Sequence, residues 1–569
     1  MSLSTGSGLR PTRNFIRRRQ SHRSLAFVAS MALLALPLAA QIAVERQVSE
    51  IGPLTGLELE EGVVQLSLDE AIRIALSRNL GLVVERHRFS ESGFGVQQAR
   101  GMYDFLGTTD FVTFHEESPA ASNLTGADVE EIDQRSLNLG IERLVPSGGR
   151  FDVSFNNRWR ETNSLFSTVN PEYRLDFDVS YRQPLLRDRG KAATERNLRI
   201  ARINRDISQE NFELQVTVTI QQVVDAYWTL VEAREQYEVA QESLELAREL
   251  HEQNRIRVDV GTLAPLELVQ SEAGIATREE QVIRGKGAIG DAEDRLRQLL
   301  NIPADERWDT PFVPTSDPEA VPVQVDLPGS IQAALQNRPE LRSKRLSQRN
   351  LEADVRYFRN QRLPRLDAAV TYGYNGLGGQ VIEREFPSGD IISTAPGGYS
   401  DAIDQITATD FVGWSASLNL IYPIENRAAK AQAALAAVTH QRGEVELDDL
   451  ELAVITEVRR LARFVETAQQ ALASARVSMR LEQRNLEAEQ KRYDNGMSTS
   501  FQVLQIQEDL TEARQREVNA VTGLRKALAL FHQSTGDLAR QSGVEIVTDS
   551  EPMAATETDS AAASGGDAG

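Results

Sequence analysis

The sequence predicts a mainly α chain with β-strands, organised as long antiparallel coiled-coil hairpins in two internal repeats. Three observations carry that prediction. First, a Pro-free stretch from Arg427 to Tyr493 places Val454, Val458, Leu461, Val465, Ala468, Leu472, Ala475 and Met479 at alternating spacings of four and three. A 3.5-residue seam kept over several heptads marks a coiled coil, and at about 1.5 Å per residue the helix is on the order of 100 Å long. Second, the construction occurs twice. Arg257-Val258-Asp259-Val260-Gly261-Thr262 aligns with Arg492-Tyr493-Asp494-Asn495-Gly496-Met497, Gln183-Pro184-Leu185 with Tyr422-Pro423-Ile424, and Leu68–Asn79 with Leu327–Arg338, in the same order. Matching landmarks in matching order make two halves of one design. Third, between the helices of each half the apolar period falls to two.

Composition fits rods better than one large globule. Of 569 residues only 6% are aromatic and 41% hydrophobic, which suits helices rich in Ala, Glu, Gln and Arg. Cysteine is absent, so disulfides, thiol catalysis, Cys-ligated metals and a lipid anchor on Cys are excluded. Residues 1–23 carry six Arg and no acid, followed by the apolar run Leu25–Ala40. That order predicts a secretory signal peptide, and about 16 apolar residues are short for spanning roughly 30 Å of hydrocarbon. Its removal leaves 56 basic against 83 acidic residues, a charge of −27. Such a surface repels nucleic acid.

Taken in order, Ser67 with Glu70 three residues on predicts a capped helix over 67–100. Alternation then predicts a strand over Phe105–Phe114, one around Leu137–Ile141, and, after the turn Pro146-Ser147-Gly148-Gly149, one around Phe151–Phe155. Tyr173, Leu175, Phe177, Val179 and Tyr181 alternate against Arg174, Asp176, Asp178, Ser180 and Arg182. One apolar and one charged face suits a membrane barrel strand, with lipid outside and water inside; a soluble sandwich edge alternates equally well, and the flanking rods favour the barrel. A long helix over Asp188–Asp259 and its return from Pro265 to Leu300 follow. The second half has a lead-in helix from Leu327 ending before Pro364, a strand around Ala369–Tyr374, a Gly-rich loop over 375–400 and a strand over Phe411–Tyr422. Either four strands come from the first half and two from the second, or the Pro146 hairpin is an extracellular extension; both arrangements fit. The expected boundaries are a signal peptide over 1–40, a lead-in segment over 41–65, a first repeat over 66–300, a Pro-rich linker over 301–326, a second repeat over 327–537 and a disordered acidic tail over 538–569.

With these landmarks in place the chain resembles the TolC-like outer-membrane efflux proteins from about Leu66 to Gly536. The features are the two Leu-x4-Ala-Leu starts, Gln183-Pro184-Leu185-Leu186, Tyr422-Pro423-Ile424, the two tip sequences and Ser534-Thr535-Gly536. The resemblance implies a homotrimer in outer-membrane lipid, a shared β-barrel continued by a periplasmic α-barrel. It implies a passive duct that meets a periplasmic membrane-fusion adaptor and, through it, an inner-membrane pump. Open strand edges cannot face lipid, so one protomer's strands would need partners.

By the same resemblance, Val260, Gly261 and Thr262 with Asn495, Gly496 and Met497 are the tips that contact the adaptor. The family's well-known members narrow the entrance with Asp just after the second tip; those places hold Gln502 and Gln505 here. Any cation preference at the mouth is then weaker, or is set by Glu267, and a local pairing of Glu267 with an Arg at the tip fits the sequence equally well. Elsewhere the residues read plainly. Gly373-x2-Gly376-x-Gly378-Gly379 lacks the Lys-Ser/Thr of a phosphate loop, and the six His form no zinc spacing. Glu444, Glu446, Asp448, Asp449 and Glu451 are a solvated helix face or a lumen stripe. No nucleophile–base pair or cofactor loop appears, so no enzyme is expected. A pore-free adhesive coiled coil and a duct for protein secretion are the competing readings.

Overall fold

The computed structural model describes residues 59–60, 62–120, 126, 128–165, 167–303, 308–319, 323–385 and 388–544. The expected signal peptide, most of the lead-in segment and the acidic tail from 545 onward lie outside the described residues.

The first half runs β1 (Leu59–Glu60), β2 (Val63–Leu66), α1 (Leu68–Arg78) and α2 (Leu80–Arg100) into four strands: β3 (Leu106–Pro119), β4 (Val129–Leu144), β5 (Arg150–Thr162) and β6 (Val169–Pro184). A one-turn helix α3 (Lys191–Thr194) leads to α4 (Arg196–Asp259), which returns as α5 (Leu266–Leu300). After β7 (Phe312–Pro314), the second half runs α6 (Leu327–Asn337), α7 (Pro339–Asn360), β8 (Arg365–Arg384), β9 (Ile391–Ala395), α8 (Tyr399–Thr407) and β10 (Val412–Ile421). It closes with α9 (Arg427–Asp494), α10 (Ser500–Thr535) and α11 (Leu538–Gln541).

Several expectations need correction, each for a local reason. The helix over 67–100 is two helices, because Asn79 leaves helical geometry at ψ 124° and its side chain accepts from the N–H groups of Gly81 and Leu82, starting a new helix. The lead-in helix of the second half breaks likewise at Arg338, held at ψ 124° by the proline that follows, since a residue before Pro is pushed out of the α region. The first long helix begins at Arg196 rather than Asp188, whose φ of +66° interrupts helical geometry. The Gly-rich stretch is mostly not a loop. β8 continues through it, and α8 lies on it: a Cβ at Gly376 or Gly378 would collide with the backbone of Ala402 or Gly398. Residues 538–544, expected to be tail, include α11, whose Leu538 is buried in the core.

The strands form one antiparallel sheet in the order β10-β8-β6-β5-β4-β3, with β9 beside the far end of β8. The turn after Pro146 sits at the helical end of this sheet, where the Gly190 N–H donates to the Ser147 carbonyl at 2.8 Å. Both Pro146 strands therefore run the full height of the sheet. Register puts Leu139, Phe155, Phe177, Tyr374 and Val412 in one row, with Ile141, Val153, Val179, Tyr372 and Trp414 in the row beside it. The opposite face carries Asp152, Ser180 and Thr371, with Asn156, Asp176 and Asn375 in another row.

Below the sheet the helices stand side by side. Near the sheet the order is α2, α4, α7, α9; further away it is α5, α4, α10, α9. Between these levels β2 and β7 pair in parallel, and the fully buried Tyr227 of α4 donates its hydroxyl to the Leu66 carbonyl at 3.0 Å. Tyr227, Trp228, Ile220 and Leu230 anchor a core that holds the Pro-rich linker, through Phe312, to the long helix. The second half has its own core of Val454, Val458, Leu461, Val465 and Leu524, four of them from the predicted seam.

Candidate functional site: the paired hairpin tips

At the far end from the sheet, both hairpins turn by the same backbone device. α4 ends with the Gly261 N–H on the Val258 carbonyl (2.9 Å) and the Thr262 N–H on the Arg257 carbonyl (2.8 Å); α9 ends with Gly496 on Tyr493 (3.1 Å) and Met497 on Arg492 (2.8 Å). These are the paired bonds of a Schellman cap. Gly261 and Gly496 hold φ of +76° and +75°, which side-chain-bearing residues rarely adopt. Nothing lies within 4 Å of where a Cβ would stand at either, so conformation alone demands glycine there, and the space beside each tip is open.

The two tips are fastened to one another. Arg257 donates to the Tyr493 carbonyl and to the Asp494 carboxylate, both at 3.2 Å, and its guanidinium lies 4.3 Å from the Tyr493 ring centre. Tyr493 is buried and donates its hydroxyl to Asn254 of α4 at 2.5 Å. Burial pushes the Tyr493 hydroxyl above its ordinary pKa, with Arg257 opposing. Leu250, Leu486, Val503 and Leu510 complete a small core around it. One layer up, the buried Arg278 of α5 donates to Ser243 at 3.0 Å and lies 3.4 Å from Glu508, while Thr511 bonds Ser243 at 3.0 Å. That polar layer ties α4, α5 and α10 together.

The residues singled out from sequence fall into separate roles. Val260 and Met497 project, 68% and 63% exposed, and three residues that sequence reasoning missed, Leu266, Val269 and Phe501, are similarly exposed. Asn495 donates to the Lys491 carbonyl at 2.6 Å and finishes α9. Gln502 is a capping residue: its backbone N–H donates to Thr499 Oγ1, and its side chain accepts from the Thr499 N–H. Gln505 is exposed and donates to Asp509 at 3.2 Å. Glu267 is half-buried and accepts from the Ser500 hydroxyl of the other hairpin. Arg257, Tyr493 and Arg278 were also missed. The aligned pair Arg257 and Arg492 held the available signal, but only Arg257 crosses between hairpins; Arg492 pairs with Glu489 of its own helix at 3.0 Å. In the acidic stretch of α9, Glu446 pairs with Lys344 and Glu451 with Arg345 of α7, while Asp448 and Asp449 are exposed.

A family model described as outer membrane efflux protein matches residues 151–301 and 330–537. The chain is 22% identical over 426 residues to the pyoverdine export outer membrane protein OpmQ of Pseudomonas putida, covering 73% of this chain and 80% of that protein. Two solved structures share the fold. The CmeC outer membrane channel of Campylobacter jejuni superposes with a TM-score of 0.58 at 16% identity, over 83% of this chain and 86% of its own. The outer membrane protein VceC of Vibrio cholerae gives 0.57 at 12% identity, over 82% and 96%.

Proposed function

The chain belongs to the outer membrane efflux protein family, and from that premise we propose that three copies close into one passive duct from the periplasm to the exterior. It is an outer-membrane channel of the efflux type, reaching into the periplasm. The observation that carries the trimer is a wall with two unfinished edges. β10 and β3 end the sheet with no further strand beside them among the described residues, and open edges cannot face lipid. The helical wall ends at α9, which exposes a second heptad seam of Val438, Val445 and Leu452. A second copy satisfies both needs, and cyclic symmetry closes the ring. Pairing β10 of one copy with β3 of the next gives about eighteen strands, an even number as such barrels require.

The sheet's faces support the same reading. Trp414 and Leu418, 74% and 72% exposed, belong to the apolar face. Aromatic pairs mark the band's two rims, Phe151 beside Tyr181 and Trp159 beside Tyr173. Eight residues separate them along the strand, roughly 26 Å at about 3.3 Å per residue, or about 20 Å of height at a barrel tilt of about 40°, within about one residue per rim of the roughly 25 Å apolar band of an outer-membrane barrel. At the other end, Val260, Leu266, Met497 and Phe501 stand exposed at the two tips, apolar surface that an adaptor's helical hairpin would cover. Through that adaptor the duct serves an inner-membrane pump, which supplies the energy.

By its position in the tip sequence, Glu267 is the carboxylate we propose to bias the mouth. Single-channel recordings in planar bilayers test this. The protein should conduct with a cation preference, and Glu267→Gln, which can still accept from Ser500, should weaken that preference without abolishing conductance. Unchanged selectivity removes Glu267 from the account; a protein that never conducts removes the duct.

A further inference from the structure

Where the strands give way to helices, a hollow of about 400 Å³ opens between α3, the start of α4, and α7. Lys191, Glu195, Arg196, Arg199, Arg202 and Arg356 line it. Ala192 and Ala353, too short to fill the space, lie among them. Arg196 is paired with Asp354 at 2.6 Å and Arg356 with Glu352 at 2.5 Å, while Glu195 accepts from the Tyr103 hydroxyl at 3.0 Å. The remaining three cations, Lys191, Arg199 and Arg202, are exposed and make no ion pair or side-chain hydrogen bond with any described residue. In a chain of formal net charge −21, such a convergence of free positive charge attracts anions.

Position narrows what the anion is. β6 ends at Pro184, and the Phe151–Tyr181 pair marks the lower rim of its apolar face. α3 and the first turns of α4 lie just beyond. Gly190, beside Lys191, donates to the Ser147 carbonyl, four residues from Phe151, so at about 3.3 Å per residue Lys191 stands roughly 13 Å of strand beyond the rim. Strand tilt and a long side-chain stem bring its head within reach of a headgroup zone roughly 5–8 Å deep. Arg199 and Arg202, lower down, line the same hollow, and their stems are long enough for the heads to reach towards that level. The hollow is also linked to the apolar face of the sheet. Arg143, in the apolar-face row opposite Phe151, stacks 4.5 Å over Phe105 and donates to the Tyr103 carbonyl at 3.0 Å. Tyr103 then donates to Glu195 in the hollow itself. This chain of contacts joins the strand row read as lipid-facing to Glu195, which lines the hollow among the cations.

We propose that this hollow binds the phosphate of an anionic glycerophospholipid in the periplasmic leaflet, with Lys191, Arg199 and Arg202 as its direct partners and the acyl chains lying along Phe151 and Tyr181. The assignment rests on the outer-membrane reading of the chain. A bound lipid would fix the depth at which the duct sits.

The test is native mass spectrometry of the full-length protein in detergent, titrated separately with phosphatidylglycerol, phosphatidylcholine and inorganic phosphate. Wild type should retain phosphatidylglycerol in preference to phosphatidylcholine. Retention should weaken roughly fivefold for each cation removed in the series Arg199→Gln, R199Q/R202Q and K191Q/R199Q/R202Q. Arg199→Glu should weaken it further than Arg199→Gln, and this single change guards against the triple variant failing to assemble. Equal retention of both lipids, or a triple variant that retains as much as wild type, overturns the proposal. So does displacement of phosphatidylglycerol by millimolar phosphate, which would make the hollow a site for free anions. Bilayer conductance of the same preparations separates the two levels: a conducting protein without lipid preference loses only the lipid site, whereas a non-conducting one loses the duct as well.

Discussion

The two hairpin tips share a backbone and differ in what fastens it. Both turn through a left-handed glycine with the same pair of cap bonds. The first tip restarts at Pro265 without a side-chain cap, whereas the second restarts with the Thr499–Gln502 capping box. At the aligned position inside each turn, the first tip has the half-buried Val258 and the second the buried Tyr493, gripped by Arg257 and bonded to Asn254. The two turns thus share the geometry of turning back and differ in how they are fastened. The second tip holds itself and reaches across; the first contributes the arginine that clasps it.

The largest expected effect tests that difference. Tyr493→Ala removes a buried aromatic ring and leaves Asn254 without its partner, so it should cost about 3–5 kcal/mol of local stability. Val258→Ala should cost less than about 1.5 kcal/mol. Hydrogen exchange of the tip amides reads both, and equal costs at the two positions would break the comparison.

A smaller effect tests the shared part. Gly261→Ala and Gly496→Ala meet no clash, only the penalty of a left-handed backbone, about 1–2 kcal/mol each. Thermal unfolding should show the two within about 0.5 kcal/mol of one another. A large inequality would mean that the two turns are not the same device.

Much of this was legible from the chain. The seam through Val454, Val458, Leu461 and Val465 is buried as its spacing foretold, because a heptad pattern encodes a helix face directly. The helix stops at Gly261 and Gly496 were legible because a helix end asks for a residue free of Cβ strain. What escaped was decided across the fold. Asn79 looked like an ordinary interior residue until its side chain capped a second helix. The glycines of β8 looked like a loop because the helix that requires their bareness, α8, comes later in the chain. Arg257 and Arg492 occupy matching places in the two tip sequences, and only three-dimensional contact distinguishes the one that bridges hairpins. The Gln residues after the second tip were weighed as pore-lining positions, while Gln502 serves its own helix.

All of this depends on one wall with open edges closing on copies of itself. Electron microscopy of the detergent-purified full-length protein measures that directly. The account predicts a threefold cylinder well over 100 Å long, with β10 of each copy beside β3 of the next and water along the axis; a monomer, or a solid bundle with no bore, would contradict it.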